Sequence, residues 1–108
     1  MVREISVQQL QDKMTTGEPV YLLDVRQAWE NELAALPDSC LIPLDQLLLR
    51  AAEVHPPEDT PIIVYCHHGI RSRTGAALLE RHGWSEVFSL AGGIDAWSSR
   101  VDPAVPRY

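Results

Sequence analysis

Cysteine is scarce: two residues in 108 are too few for the disulfide framework of a small secreted scaffold. Basic charge is short as well, with nine Lys and Arg against fifteen Asp and Glu and a formal net charge of −6. Such a chain lacks the cationic surface on which non-specific phosphate binding rests, so no nucleic-acid partner is expected. No apolar run approaches the roughly 20 residues that span a bilayer, and no membrane partner is expected either. Met1–Ile5 lacks the apolar core of a secretory signal. Internal repeats, low-complexity tracts and linkers are missing too. The expectation is one soluble domain of the reducing cytoplasm.

What is present fits that expectation. Hydrophobic residues make up 45% and charged residues 22%, an ordinary globular balance. A chain of this length buries about two thirds of its unfolded surface, so neither metal nor disulfide is needed to fold it. The domain is expected to occupy 1–108, with a core over about 4–100 and a tail over 101–108.

Ser6-Val-Gln-Gln9 has the form of a capping box, in which Ser6 and Gln9 each satisfy the other's backbone amide. Val7, Leu10 and Met14 continue it as an apolar helix face ending at Thr15-Thr-Gly17. Val20–Val25 and Ile62–Cys66 are short continuous apolar runs, the mark of buried strands. Cys40–Pro43 and Glu86–Leu90 read as further short strands, with Pro43 pointing to a strand end. Helices are expected over Gln27–Leu33, Leu44–Val54, Arg71–His82 and Ile94–Ser99. Leu47, Leu48 and Leu49 span too wide an arc for one narrow face, so at least one of them should be exposed. Strands alternating with helices predict an α/β fold, a mainly parallel central sheet with helices on both faces.

In such sheets ligands sit beyond the carboxyl ends of the strands. The most informative stretch there is Cys66-His-His-Gly-Ile-Arg-Ser72. Cys66 ends a strand and precedes a helix, so its sulfur should face unpaired helix amides that favour the thiolate, the nucleophilic form. Gly69 permits a tightly curled backbone whose amides converge on one point. His67, His68 and Arg71 add donors and positive charge, and Arg73 adds more if its side chain turns toward the mouth. This local excess of donors and positive charge suits a small anionic substrate. The reading fails if the sulfur is sealed from solvent with the neighbouring amides aimed elsewhere. Cys66 as an inert core residue is the alternative.

Asp24 and Arg26 follow the Val20–Val25 strand. Asp24 could brace Arg71 or the loop amides, or form an ordinary strand-end ion pair with Arg26; a supporting structural role is expected of both. Glu30 fits a solvated helix position as readily as a site. Adjacent Cys66, His67 and His68 do not have zinc-ligand spacing, and His55 and His82 add no motif, so no metal is expected. Cys40 reads as a strand residue; a regulatory disulfide with Cys66 requires that the two lie close.

Three segments carry a family resemblance. Leu23-Asp-Val-Arg26 with Glu30, Tyr65-Cys-His-His-Gly-Ile-Arg-Ser72, and Gly92-Gly-Ile-Asp-Ala-Trp97 stand in the order found in rhodanese-like domains. Together the chain resembles the bacterial single-domain thiosulfate sulfurtransferases of that family. Leu36-Pro-Asp-Ser-Cys40 departs from it, lacking the Gly-His pair usual after the first segment. The resemblance implies a rhodanese-like fold and catalysis by Cys66 without metal or organic cofactor. The thiolate would take the outer sulfur of thiosulfate or another persulfide donor, then pass it to a small thiol, cyanide or a carrier protein. His67, His68, Gly69, Ile70, Arg71 and Ser72 would bind the substrate, with Arg71 drawing the oxyanion end of the donor and Asp24, Arg26 and Arg73 in support. Two alternatives stay open, a non-catalytic binding module and a cysteine-dependent phosphatase or arsenate reductase. The four residues between Cys66 and Arg71 form a loop one residue shorter than the phosphatase type, which favours a sulfur atom over a phosphoryl group.

Overall fold

Helix α1 (Val7–Thr15) starts where the capping box places it: Ser6 Oγ accepts from the Gln9 amide at 3.1 Å, and Gln9 Oε1 accepts from the Ser6 amide at 2.9 Å. The computed structural model describes residues 2–108. The apolar runs form strands β2 (Tyr21–Asp24), β4 (Ile62–Tyr65) and β5 (Val87–Leu90), and Cys40–Leu41 makes the short β3. A further strand, β1 (Arg3–Ile5), pairs with β5 and is too short and charged to register as a strand in the sequence. All pairings are parallel, in the order β1-β5-β4-β2-β3. The other helices are α2 (Ala28–Leu33), α3 (Ile70–Arg81) and α4 (Gly93–Arg100).

Alternation along the strands splits the core between the two sheet faces. Leu22, Ile63, Tyr65 and Leu90 pack with Leu10 of α1 and Ile94 and Trp97 of α4. Leu23, Ile62, Val64, Cys66 and Val87 pack with Ala76 and Leu79 of α3 and with Leu47 and Val54. The same alternation sends Tyr65 to the α1–α4 face and Cys66 to the α3 face.

The helix expected over Leu44–Val54 does not form. Two 3-10 turns, Leu44–Gln46 and Ala51–Glu53, stand in its place, held by bonds such as Leu47 N to Leu44 O and Val54 N to Ala51 O. Leu47 is buried while Leu48 and Leu49 are exposed, so only isolated apolar anchors, not a helical stripe, hold this segment to the sheet. The departing segment Leu36–Cys40 is a turn fastened from the core. Tyr65 Oη accepts from the Leu36 amide at 3.2 Å and shares a 2.8 Å hydrogen bond with Ser39 Oγ.

Residues 101–108 fold back on the domain. Val101, Val105 and Tyr108 pack against the α1–α4 core, and Arg107 pairs with Asp95 at 3.1 Å. No helix of the described residues is long and apolar enough to cross a membrane.

Candidate active site

In register, Asp24 stands beside Tyr65, the residue before Cys66, so the carboxyl ends of β2 and β4 lie side by side. Beyond them the chain curls from Cys66 to Ile70, where α3 begins. Gly69 is the turning point, with φ +101°, a left-handed conformation that side chains resist. The curl brings two amides onto one sulfur: Gly69 N–H donates to Cys66 Sγ at 3.1 Å and Ser72 N–H at 3.3 Å. Beneath them Ser72 Oγ lies 3.5 Å from Sγ and shares a 2.7 Å hydrogen bond with Ser89 Oγ of β5. Ser89 has no sequence signal that links it to the site, because only strand pairing brings β5 there.

The carbonyls of the same loop point the other way. Cys66 O accepts from the Ile94 amide at 2.9 Å and His67 O from the Asp95 amide at 3.1 Å. The first amides of α4 thus hold the carbonyls at the start of the loop and fix where its curl begins. This accounts physically for Gly92-Gly-Ile-Asp-Ala-Trp97. A Cβ at Gly93 would collide with the carbonyl oxygen of Cys66 and stand 2.5 Å from that of His67, and Gly93 has φ +61°. We expect Gly93→Ala to cost about 1–3 kcal/mol of stability and to slow any chemistry at Cys66 by at least ~10-fold. Urea denaturation and an activity assay check both.

The amides aim at the sulfur, but Cys66 is fully buried, so an open cup does not exist in this state. With donors at 3.1 and 3.3 Å, both amides converge on the one sulfur atom.

The charged residues pair differently from the sequence expectation. Asp24 braces neither Arg71 nor the loop amides. Both of its oxygens engage Arg26, from Nε and Nη2 at 2.8 Å each, and Asn31 Nδ2 donates to it at 3.0 Å. The Asp24–Arg26 pair is wholly buried. Burial opposes the Arg26 cation, and Asp24 more than restores it. Arg71 is held instead by Glu30 of α2, with Nη1–Oε1 at 2.6 Å and Nη2–Oε2 at 2.9 Å. Glu30 is therefore buried rather than solvated. The Arg71 hydrogen bonds outweigh its burial and hold its carboxyl at about 2. Arg73 pairs instead with Glu4 at 3.0 Å, on β1 at the edge of the sheet opposite β3.

Tyr108 joins these pairs. Its hydroxyl donates to Glu30 Oε2 at 2.7 Å and accepts from Arg26 Nη1 at 2.9 Å, and burial followed by the Glu30 bond pushes it up to about 12. Its ring stacks on His67 at 3.9 Å, and His67 stacks on His68 at 3.9 Å. Burial and then the neighbouring His68 push His67 below the usual imidazole range, toward the neutral form. A proline-containing tail offers no sequence signal for such a contact.

Glu30 also sets a pH dependence. Its folded value of about 2 lies below the ordinary 4.5, so its contribution is present above 4.5 and is lost as pH falls toward 2. We expect Glu30→Gln to lower stability by on the order of 2 kcal/mol at neutral pH, with the difference vanishing near pH 2. Denaturation curves of both proteins across that range test it.

Cys40 and Cys66 are both free. Cys40 aligns with Leu23 and Leu23 with Val64, so Cys40 lies two strand spacings, about 10 Å, from β4. That exceeds disulfide reach without backbone movement. Among the described residues no group of three or more His, Cys, Asp or Glu side chains is placed to hold a metal.

Residues 6–100 match the model of the rhodanese-like domain. A sulfurtransferase of Allochromatium vinosum is 33% identical over 105 residues, covering 97% of this chain and 96% of that protein. A putative sulfur carrier protein of Bacillus subtilis is 31% identical over 94% of this chain, which spans 54% of that longer protein. The crystal structure of a rhodanese-related protein from Thermoplasma volcanium superposes with a TM-score of 0.82 at 25% identity, covering 98% of this chain and 99% of that one. The curled loop on Cys66, the parallel sheet that carries it and these matches along nearly the whole chain lead to one conclusion: the protein belongs to the rhodanese-like domain family.

Proposed function

We propose that this protein is a sulfurtransferase in which Cys66 carries the transferred sulfur as a persulfide. The observation that carries the reading is the pair of amides from Gly69 and Ser72 aimed at Cys66 Sγ at the mouth of α3. In the first step the Cys66 thiolate attacks the outer sulfur of a sulfane donor, thiosulfate or an organic persulfide. A Cys66 S–S bond forms as the donor's S–S bond breaks, and sulfite or a thiolate leaves. In the second step a thiophilic acceptor, a small thiol, cyanide or a carrier protein, attacks the terminal sulfur and restores the thiolate. Ping-pong kinetics follow.

The sulfur should remain against the loop. The Gly69 amide at the turn and the Ser72 amide in the first turn of α3 stabilise negative charge on the sulfur without reorganising as it develops. Ser72 and the loop backbone act directly on the sulfur, whereas Asp24 and Arg26 form a buried structural pair and Glu30 holds Arg71. The sulfurtransferase and sulfur-carrier relatives favour this chemistry.

Incubation with excess thiosulfate or an organic persulfide, followed by intact-mass measurement, tests the reading. One added sulfur atom on the wild type is the expected result. No gain from either donor would leave a binding module in its place. Phosphate release from an aryl phosphate would instead turn the assignment to a phosphatase. The four residues between Cys66 and Arg71, one fewer than in the phosphatase type of loop, argue against that reading.

A further inference from the structure

A free cation adds long-range attraction for a doubly charged donor, yet every arginine near this loop has a carboxylate of its own. Arg71 is clamped by Glu30 through two hydrogen bonds, Arg107 by Asp95, and Arg26 is buried against Asp24. Glu30 stays ionised throughout the neutral range. His67 is held toward its neutral form. The mouth therefore presents paired charges, whose fields largely cancel within a few ångströms, rather than an excess of positive charge. An incoming dianion would gain little from Arg71 and would meet the Glu30 carboxylate behind it.

The uncharged part of the rim has a different character. Trp29 precedes Glu30 and is 58% exposed, and Ile70 precedes Arg71 and is 77% exposed. The Trp29 ring meets Tyr108 edge-on at 6.2 Å, and Tyr108 continues through His67 to His68 as a stack. Aromatic and aliphatic surface thus runs from α2 to the loop, flanking the ion pair. A surface of this kind favours an organic group.

We propose that Glu30 is a positioning residue that sets donor class: by neutralising Arg71 it makes this site prefer an organic persulfide, R–S–SH, to an inorganic dianion such as thiosulfate. The inference rests on the sulfur-transfer reading above. The step balances without another reactant. The Cys66 thiolate bonds to the outer sulfur of R–S–SH, the donor S–S bond breaks with its electron pair, and R–S⁻ leaves while Cys66 holds S–SH.

The test is the rate of sulfur loading on Cys66, followed by rapid quench and intact mass. The donors are thiosulfate and the persulfide of N-acetylcysteine methyl ester, whose organic group is uncharged. The wild type should load at least ~10-fold faster from the organic persulfide, with little response of the thiosulfate rate to added salt. Glu30→Gln, which frees the guanidinium, should raise thiosulfate loading by ~10-fold or more, and salt should now suppress it. Loading from the persulfide should change by less than ~3-fold in the same variant. Glu30→Asp, which keeps the charge, should retain the wild-type preference. A merely structural role for Glu30 would slow both donors together and leave the salt response unmoved.

Faster loading of the wild type from thiosulfate, or an unchanged donor ratio in Glu30→Gln, would overturn the inference while leaving sulfur transfer standing. A wild type that loads faster from thiosulfate overturns the inference even if a variant does not fold. Loading from neither donor would overturn the sulfur-transfer reading itself, and this inference with it.

Discussion

Cys66→Ser is expected to gain no sulfur from any sulfane donor and to lose turnover by roughly 10⁴-fold or more, the scale on which removal of an enzyme's nucleophile is felt. A serine hydroxyl at neutral pH is a poor nucleophile, and among the described residues no imidazole or carboxylate hydrogen-bonds at this position. The nearest side-chain partner of the sulfur is Ser72 Oγ, itself bonded to Ser89 Oγ. The substitution should spare the fold. A hydroxyl can accept from the Gly69 and Ser72 amides as the sulfur does, so no buried N–H is orphaned. The checks are intact mass, turnover and thermal unfolding of the variant beside the wild type. A sulfur gain on Cys66→Ser would move the chemistry elsewhere, and Cys40, as the other free thiol, would be the first place to look.

The largest loss of stability is expected from Arg26→Met. Arg26 is wholly buried, and its guanidinium bonds Asp24, Tyr108 Oη and the carbonyl of Ala34, the last at 2.6 Å. Its charge also lies 5.3 Å from the centre of the Tyr65 ring. Methionine fills part of the volume and leaves Asp24 as a buried anion with one side-chain donor, Asn31. Breaking a buried pair from one side costs about 3–5 kcal/mol. For a domain of this size that corresponds to a fall in Tm of roughly 12–40 °C. Pairing Arg26→Met with Asp24→Asn removes the stranded charge, so the double variant should be more stable than Arg26→Met alone. Thermal unfolding of the single and double variants measures the coupling. Equal Tm values for the two would mean that Asp24 escapes to solvent or protonates at no cost. Loss of Arg26 also reaches the loop, because Tyr108 bridges Arg26 to Glu30 and Glu30 holds Arg71.

Local signals made much of this legible. The Ser6–Gln9 cap, the two continuous strand runs and the Cys66–Ser72 curl each involve residues within a few positions of one another. Their hydrogen bonds follow from residue type and short-range geometry. The nucleophile candidate, the parallel α/β class and the amide-lined loop were therefore readable. Segments whose structure depends on distant contacts were not. Leu44–Val54 has helix-forming residues, but Leu48 and Leu49 have nothing to bury against, and the chain settles into 3-10 turns. β1 exists only because β5 offers an edge.

Charge pairing was the hardest to read. Asp24, Glu30, Arg26, Arg71 and Arg73 could pair in several ways, and each pairing looks reasonable on paper. Packing chose among them. Asp24 and Arg26 are two residues apart and close on each other, while Glu30 reaches Arg71 from 41 positions away and Tyr108 reaches Arg26 from 82.

The amino-acid order alone determined the family, the α/β class and the cysteine at the strand end, since all three rest on short segments with their own geometry. Only the folded chain decided that Arg71 is paired with Glu30, that Arg73 pairs with Glu4, that residue 108 completes the charge network and that the thiol is buried. Those outcomes depend on which side chains meet after the sheet and helices have packed, and on desolvation, which makes one partner for each buried charge far better than the rest.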